Sequence, residues 1–360
     1  LAQPFRYLAH NGEINTVRGN CNWMTAREAL FESGMIRHIN HLYPVIPAGQ
    51  SDSACLDNAL EMVYQTGRSL PHAISMLIPE AWQNHESMPQ DKKDYYEYHS
   101  CLMEPWDGPA SIAFTNGRMI GAVLDRNGLR PSRYWVTRDG LVIMASESGV
   151  LDIPDDQVEL KGRLEPGRMF LCNLEEHRIV SDQEIKETLA GRSPYGNWLN
   201  QRLQRLEDIP APAAGNGCNR AMDSDNLLRH QQVFGYTLED LRFLMHPMAT
   251  TGKEGVGSMG NDTALAVLSD KPRLLFDYFK QLFAQVTNPP LDAIREEMIT
   301  SLVTNLGSEG NLFEENPEQC EMLRLEQPVL TSPCMGKLRS LDRGKLRSRV
   351  LKTLFDRADG

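Results

Sequence analysis

The sequence lacks any CxxC pair, although it contains seven cysteines. The cysteines are scattered singly and their number is odd, which is typical of reduced thiols rather than of a disulfide framework. We therefore expect a cytoplasmic protein in which each cysteine is a small, mostly buried side chain.

Basic residues are also few, since 37 Lys and Arg stand against 48 Asp and Glu and the formal net charge is −11. Nucleic-acid binding needs clustered cations, so this balance argues against nucleic acid as a partner. No apolar run approaches the length needed to cross a bilayer, and we expect no membrane association. The composition, 41% hydrophobic and 24% charged, is that of a soluble globular protein.

The length of 360 residues exceeds what one hydrophobic core usually supports, so we expect two domains. The best linker candidate is the stretch 210–226, which is rich in proline, alanine and glycine and has little to bury. We place the first domain at 1–206, a linker at 207–225 and the second domain at 226–360.

Local patterns predict a mixture of helices and antiparallel strands, which indicates an α+β fold. Helical spacing predicts helices over 22–33, 54–67, 91–101, 185–206 (broken near Pro194), 238–245, 273–284 and 291–306. Short apolar and β-branched runs, several of them separated by turn pairs such as Asn116-Gly117, predict strands over 5–9, 110–115, 119–125, 134–137, 141–146, 169–173 and 264–268. A capping pair at Thr237 and Asp240 is expected to start the 238–245 helix.

The first of these strands is expected to break at Asn11-Gly12, the dipeptide best suited to a tight turn with positive φ. Such a break can leave a glycine N–H and an asparagine amide pointing the same way at the rim of a sheet. Two converging neutral donors can hold a developing oxyanion. The alternative for a bare Asn-Gly is an ordinary hairpin turn.

Two sequence motifs resemble those of the class II (N-terminal nucleophile) glutamine amidotransferases. They are Leu8-Ala9-His10-Asn11-Gly12 and Gly49-Gln50-Ser51-Asp52-Ser53. Two longer runs are similar to the glutamate synthase large subunits of that family: His99-Ser100-Cys101-Leu102-Met103-Glu104-Pro105-Trp106-Asp107-Gly108 and Leu124-Asp125-Arg126-Asn127-Gly128-Leu129-Arg130-Pro131. Phe276-Asp277-Tyr278-Phe279-Lys280 and Asn288-Pro289-Pro290 continue the resemblance, which covers nearly the whole chain.

The resemblance implies roles for three residues. Asn11 and Gly12 would form the oxyanion hole, and Asp52 would bind the α-ammonium group of glutamine. On local sequence alone, Asp52 is equally well an N-cap or first-turn carboxylate of the 54–67 helix. The family's nucleophile is an N-terminal cysteine whose own α-amine acts as base. This chain begins with Leu1, so neither that cysteine nor the family's carboxylate-binding arginine is expected within it, and we expect a fragment of a longer protein.

The resemblance also implies a fold and a pathway. Residues 1–206 would be the C-terminal part of an αββα layered N-terminal-nucleophile amidotransferase domain, and 226–360 part of an α/β central domain. The whole enzyme would hydrolyse glutamine to glutamate and ammonia and use the ammonia to convert 2-oxoglutarate reductively to glutamate. FMN and an iron–sulfur cluster are implied for the full-length protein, with a small subunit or ferredoxin as partner. No cofactor or metal site is expected in this chain.

Three other patterns resemble catalytic, metal-binding or dinucleotide-binding motifs. His10 is expected to be structural, and the His38/His41 pair lacks a third metal ligand with recognisable spacing. The GxGxxG match at 255–260 neither follows a strand nor opens a helix, which argues against a dinucleotide site. A different class II amidotransferase and a non-catalytic scaffold remain as alternatives.

Overall fold

The computed structural model describes most of the chain. The described residues are 5–210, 223–253, 255, 266–275, 278 and 293–349. By compactness the chain divides into one unit of 1–214 with 290–360 and a second unit of 215–289. The predicted domains at 1–206 and 226–360 were placed from the composition of the linker between them and from the sequence resemblance, and they stay a prediction.

The first unit alternates helices and strands along the chain. Its helices are α1 (Val17–Arg27), α2 (Asp52–Gln65), α3 (Leu70–Leu77), α4 (Gln90–Ser100), α5 (Asp182–Ala190), α6 (Tyr195–Arg202), α9 (Ala293–Thr300) and α10 (Ser332–Arg339). Its strands are β1 (Leu8–Gly12), β2 (Ala110–Thr115), β3 (Met119–Leu124), β4 (Arg133–Thr137), β5 (Val142–Ala145), β6 (Val158–Arg163), β7 (Met169–Asn173), β8 (Arg178–Val180), β9 (Gln204–Arg205), β10 (Thr304–Leu306), β11 (Leu323–Leu325), β12 (Asp342–Arg343) and β13 (Leu346–Arg347).

Two antiparallel sheets organise this unit. The first has the order β1-β2-β3-β7-β8 and the second the order β5-β4-β6. Apolar side chains of α2, α3 and α4 form the main core with β1, β2, β3 and β7. On the other side of the first sheet, Ala122 and Phe170 pack with Met144 of the second sheet. The α+β expectation is confirmed, and helices, first sheet and second sheet follow one another as layers.

The sequence 293–349 contributes to the same core. Leu312, Cys320 and Met322 are buried in the main cluster, and the rings of Phe31 and Phe313 lie 4.5 Å apart. Strand β11 pairs antiparallel with β10 and parallel with β9. Residues 312, 320 and 322 thus pack in the same core as α2, α3 and α4.

Several predicted elements need correction in the first unit. The helix predicted at 22–33 starts earlier, as α1, and ends in a single 3₁₀ turn over Glu28–Leu30. The helix predicted at 291–306 stops at Thr300, and the chain continues as strand β10 because residues 304–306 find a pairing partner in β11. Six further strands of this unit were not predicted: β6, β8, β9, β11, β12 and β13.

The second unit is helical where it is described, with α7 (Ser224–Val233), a π-helical segment (Asp240–Met245) and α8 (His246–Thr251). The predicted capping pair is confirmed, because the Thr237 N–H donates to Asp240 Oδ2 (2.8 Å) and the Asp240 N–H to Thr237 Oγ1 (3.1 Å). The helix does not end at Met245 as predicted but runs on through Pro247.

Residues 266–268 of the second unit form a 3₁₀ turn rather than the predicted strand. Most of the 273–284 helix and all but Gly255 of the GxGxxG stretch lie outside the described residues. Among the residues that are described, no helix is long and apolar enough to span a bilayer.

Candidate active site

Strand β1 places both predicted oxyanion donors at the edge of the first sheet. It pairs antiparallel with β2, so that Asn11 lies opposite Ser111 and Gly12 opposite Ala110. The strand runs through Asn11 and ends at Gly12, so the predicted turn at this dipeptide is wrong. The positive φ of Gly12 is confirmed, at 137°.

The hydrogen bonds on either side of β1 show which way its N–H groups point. Glu13 N donates to Pro109 O (3.3 Å) and Thr115 N to Tyr7 O (2.8 Å), so odd-numbered residues of β1 bond to β2. Ala110 O accepts from Asp125 N (3.0 Å) and therefore faces β3 rather than Gly12. The Gly12 N–H consequently points out of the ladder, toward the open edge.

Helix α2 lies along that open edge. Two of its carboxylates accept outward N–H groups at either end of β1: Leu8 N donates to Asp57 Oδ1 and Ile14 N to Asp52 Oδ2, both at 2.9 Å. The N–H of Gly12 lies between these two anchored positions.

Glycine is required at position 12 for steric reasons. A Cβ built there would lie 1.8 Å from Pro109 O. The approach is mutual, because a Cβ on Gly108 would lie 2.0 Å from Glu13 O. With a φ of 137° in addition, no other residue fits this bend without moving backbone.

The side chain of Asn11 lies on the opposite face of β1 from His10. Asn11 is exposed and borders a cavity of about 470 Å³ between the two sheets, whose lining includes Ser111, Met144 and Phe170. Among the described residues that line this cavity, neither Gly12 nor Asp52 occurs. Asn11 and Gly12 are thus adjacent in the chain, but their donors approach the strand end from different sides.

Asp52 is the first residue of α2, and Ser51 caps the helix by accepting from Ala54 N (3.3 Å). The predicted helix start is confirmed, with Asp52 as a first-turn carboxylate. Its Oδ2 accepts from Ile14 N and its Oδ1 from Ser53 N (2.7 Å). The side chain remains 17% exposed, so the anchored carboxylate keeps acceptor capacity toward solvent.

His10 joins this cluster but does not form a catalytic triad. Its Nε2 lies 2.7 Å from Ser53 Oγ and 3.6 Å from Asp52 Oδ2, whereas a triad histidine contacts its two partners through different nitrogens. Nδ1 is buried and has no hydrogen-bond partner within the described part of the chain. Burial lowers the pKa of His10 in spite of the opposing charges of Asp52 and Glu13. A neutral, structural histidine results.

Three of the thiols within the described ranges, those of Cys55, Cys101 and Cys172, are poor nucleophiles. Burial, reinforced by the nearby Cys21, raises the pKa of Cys55 to about 12, and burial likewise raises the pKa of Cys101 and Cys172. A thiol of raised pKa is protonated and unreactive at neutral pH. His38 and His41 stack with their ring centroids 5.4 Å apart, and the described residues hold no group of three or more potential metal ligands.

Two structural features around the candidate site escaped sequence reasoning. Asp57, 2% exposed, accepts from the N–H groups of Arg6, Tyr7 and Leu8 and so fixes the start of β1. A single acidic residue on the apolar face of a predicted helix was the available signal. The second feature is the pair of Asp107 and Arg126, joined by two hydrogen bonds of 2.7 and 3.1 Å behind the Gly12 bend.

Two protein families match the chain. "Glutamine amidotransferases class-II" matches residues 1–198, and "Glutamate synthase central domain" matches residues 229–359. The first match covers more than half of the chain and includes β1, α2 and both sheets.

Curated relatives are similar over nearly the whole chain. The "Glutamate synthase [NADPH] large chain" of Bacillus subtilis is 48% identical over 98% of this chain and 23% of its own length. The "Glutamate synthase [NADH]" of Schizosaccharomyces pombe is 49% identical over 95% of this chain and 16% of its own. The "Ferredoxin-dependent glutamate synthase, chloroplastic" of Oryza sativa is 45% identical over 99% and 22%. The chain spans less than a quarter of the length of each.

Proposed function

The chain belongs to the class-II glutamine amidotransferases, and we propose that it forms the glutamine-hydrolysing part of a glutamate synthase large chain. The full-length protein would release ammonia from glutamine and add it to 2-oxoglutarate, with reduction to glutamate. Similarity to glutamate synthases of three electron-donor types along nearly the whole chain supports this proposal.

The observation that carries the proposal is the outward N–H of Gly12. When a thiolate attacks the glutamine carboxamide, negative charge develops on its oxygen. A backbone N–H outside the ladder, at a bend locked by Pro109, is a preorganised donor for that charge. Asn11, which borders the cavity between the two sheets, is proposed to supply the second donor through its side-chain amide.

Asp52 is proposed to bind the α-ammonium group of glutamine. Its carboxylate lies at the same strand end, held by the Ile14 and Ser53 N–H groups. Anchoring both oxygens fixes the direction of the remaining lone pairs, so that an ammonium group is recognised in one orientation. Glutamine binding and oxyanion stabilisation are then organised by one strand and one helix start.

The nucleophile is proposed to be an N-terminal cysteine of the full-length protein, whose α-amine takes the thiol proton. The raised pKa of the Cys55 thiol supports a nucleophile elsewhere. The family's arginine for the glutamine carboxylate is likewise expected outside this chain. What the present residues supply is the oxyanion donors and the ammonium site.

FMN and an iron–sulfur cluster are proposed for the full-length protein, where they would supply the reducing electrons. The described cysteines are dispersed and do not fit a cluster. The electron source, a small subunit or ferredoxin, and a cytoplasmic location are proposals as well. The relatives include an NADPH-linked glutamate synthase and a ferredoxin-dependent one, and the latter is named as chloroplastic.

A different class II amidotransferase is less well supported, because residues 229–359 match the glutamate synthase central domain. The remaining alternative is a scaffold without catalysis. The test is to incubate the full-length protein with glutamine and, separately, with a diazoketone analogue of glutamine. We expect glutamate formation and alkylation of the N-terminal cysteine, located by peptide mass spectrometry. If the protein forms no glutamate and its N-terminal peptide is not labelled, it is a scaffold without catalysis.

A further inference from the structure

Arg126 joins two carboxylates from distant parts of the first unit. Its guanidinium donates to Asp107 from Nε (2.7 Å) and Nη2 (3.1 Å), and to Glu296 Oε1 from Nη1 (3.1 Å). The side chain of Arg126 is 5% exposed, and those of Asp107 and Glu296 are 15% and 18% exposed. Ion pairs in such partly buried surroundings are screened little by salt. Burial lowers the pKa of Arg126, but the two carboxylates raise it by more, so the guanidinium stays charged.

Asp107 begins a short loop, 107–109, that is hydrogen-bonded to the segment after the Gly12 bend. Thr16 N donates to Asp107 O (3.2 Å), and Asp107 N donates to Thr16 Oγ1 (2.9 Å). At the other end of the loop, Glu13 N donates to Pro109 O (3.3 Å). Because the two backbones also approach too closely for a side chain at Gly12, a shift of the loop has to shift the bend.

The backbone around Arg126 is also fixed by hydrogen bonds. Arg126 follows strand β3 in a turn closed by Asp125, whose Oδ2 accepts from the N–H groups of Asn127 and Gly128 (3.0 and 2.9 Å). Asp125 N in turn bonds to Ala110 O, on the strand that pairs with β1. The second carboxylate partner of Arg126 is Glu296, which lies on α9, 170 positions later in the chain.

Two further buried arginines reach the same later segment. Arg27 Nε donates to Glu309 Oε2 (2.7 Å), and Arg68 Nη2 donates to Glu314 O (3.1 Å). Three buried arginines of the amidotransferase core thus bond to residues between 296 and 314. Arg126 is the one of the three whose other carboxylate belongs to loop 107–109.

We propose that Arg126 and Glu296 are positioning residues for glutamine hydrolysis. Through Asp107, helix α9 sets the place of loop 107–109 and so the direction of the Gly12 N–H. The oxyanion site then responds to the position of the segment that follows the amidotransferase core. This inference rests on the proposed function of Gly12.

The test uses the full-length protein with Glu296→Ala, the graded variant Glu296→Gln and the matched control Glu297→Ala. Glu297 is the next residue of the same helix, and it has no ion pair within the described part of the chain. We expect Glu296→Ala to lower kcat for glutamine hydrolysis about 10-fold, less than the ~10²-fold or greater loss that follows removal of an oxyanion donor. The KM for glutamine and synthesis from added ammonia should stay unchanged, and Glu296→Gln should lie between.

A second measurement does not depend on activity. Hydrogen exchange of the amides of Glu13 and Thr16, both bonded to loop 107–109, should speed up in Glu296→Ala and not in Glu297→Ala. If wild-type protein hydrolyses no glutamine, the proposed function fails, while the exchange data still decide whether Glu296 holds the loop. Equal behaviour of the two alanine variants in kcat or in exchange would overturn the proposal, and so would a parallel loss of ammonia-dependent synthesis.

Discussion

The backbone nitrogen of Ile14 donates to Oδ2 of Asp52 at 2.9 Å, which ties the end of β1 to the first turn of α2. This bond brings two sequence motifs, separated by 38 positions, to one place. It also has a chemical consequence. One oxygen of the proposed ammonium-binding carboxylate is oriented by the same strand end that carries the proposed oxyanion donors.

Replacement of Asp52 by asparagine tests its proposed role in glutamine binding. Asparagine retains an oxygen that can accept from Ile14 N, but it lacks the negative charge that attracts an ammonium group. Hydrogen bonds to charged groups contribute about 1.5–3 kcal/mol, so we expect KM for glutamine in the full-length protein to rise roughly 10–100-fold. Steady-state kinetics with glutamine as the varied substrate measure this change.

Asp57→Asn is the matched control, because Asp57 lies on the same helix and holds the other end of the same strand. Asparagine leaves one of the three strand N–H groups without its acceptor. We expect a loss of stability of about 1–3 kcal/mol with KM for glutamine unchanged. An unchanged KM in Asp52→Asn, or an equal rise in both variants, would remove Asp52 from the substrate site.

Asn11→Ala tests the side-chain donor. The exposed Asn11 side chain borders a cavity and supports little of the core, so the fold should persist. We expect glutamine-dependent synthesis to fall by about 10²–10³-fold, while synthesis from added ammonia is retained. Equal loss of both activities would point to misfolding rather than to an oxyanion role.

Gly12→Ala tests the steric requirement at the bend. The added Cβ would lie 1.8 Å from Pro109 O, which is backbone and cannot rotate away. Strain of this kind costs on the order of 1–3 kcal/mol at least, and we expect a lower thermal midpoint together with loss of glutamine hydrolysis. Differential scanning calorimetry and a glutaminase assay measure the two effects.

Gly19→Ala serves as the control for that change. Gly19 lies in α1, and a Cβ there meets no atom within 4 Å. Alanine is favoured over glycine inside a helix by about 1 kcal/mol, so this variant should be as stable as the wild type or more so. A Gly12→Ala protein as stable and active as Gly19→Ala would contradict the close approach of the two backbones.

Sequence reasoning was most reliable where the signal is local. The helix start at Asp52, the Thr237–Asp240 pair and five of the strands were predicted from neighbouring residues. It was less reliable where distant partners decide. Strand β10 exists because β11 pairs with it, and the outward direction of the Gly12 N–H depends on a register with residues almost a hundred positions away. The ion pair between Arg126 and Glu296 likewise joins two distant segments, and no short sequence pattern predicts such a contact.

The buried pair His72 and His99 leads to a prediction about acid stability. Their Nε2 atoms lie 2.8 Å apart, and burial lowers the pKa of both residues, that of His99 to about 3. Both rings are therefore neutral in the folded protein at pH values where the unfolded chain binds protons, below about 6.5. Stability should fall as pH drops from 6.5 toward 4, by up to about 1.4 kcal/mol per pH unit for each histidine. Urea unfolding followed by tryptophan fluorescence should show a shallower pH dependence in His99→Gln than in the control His38→Gln, whose histidine is exposed; equal slopes would rule out the pair as the origin of the acid sensitivity.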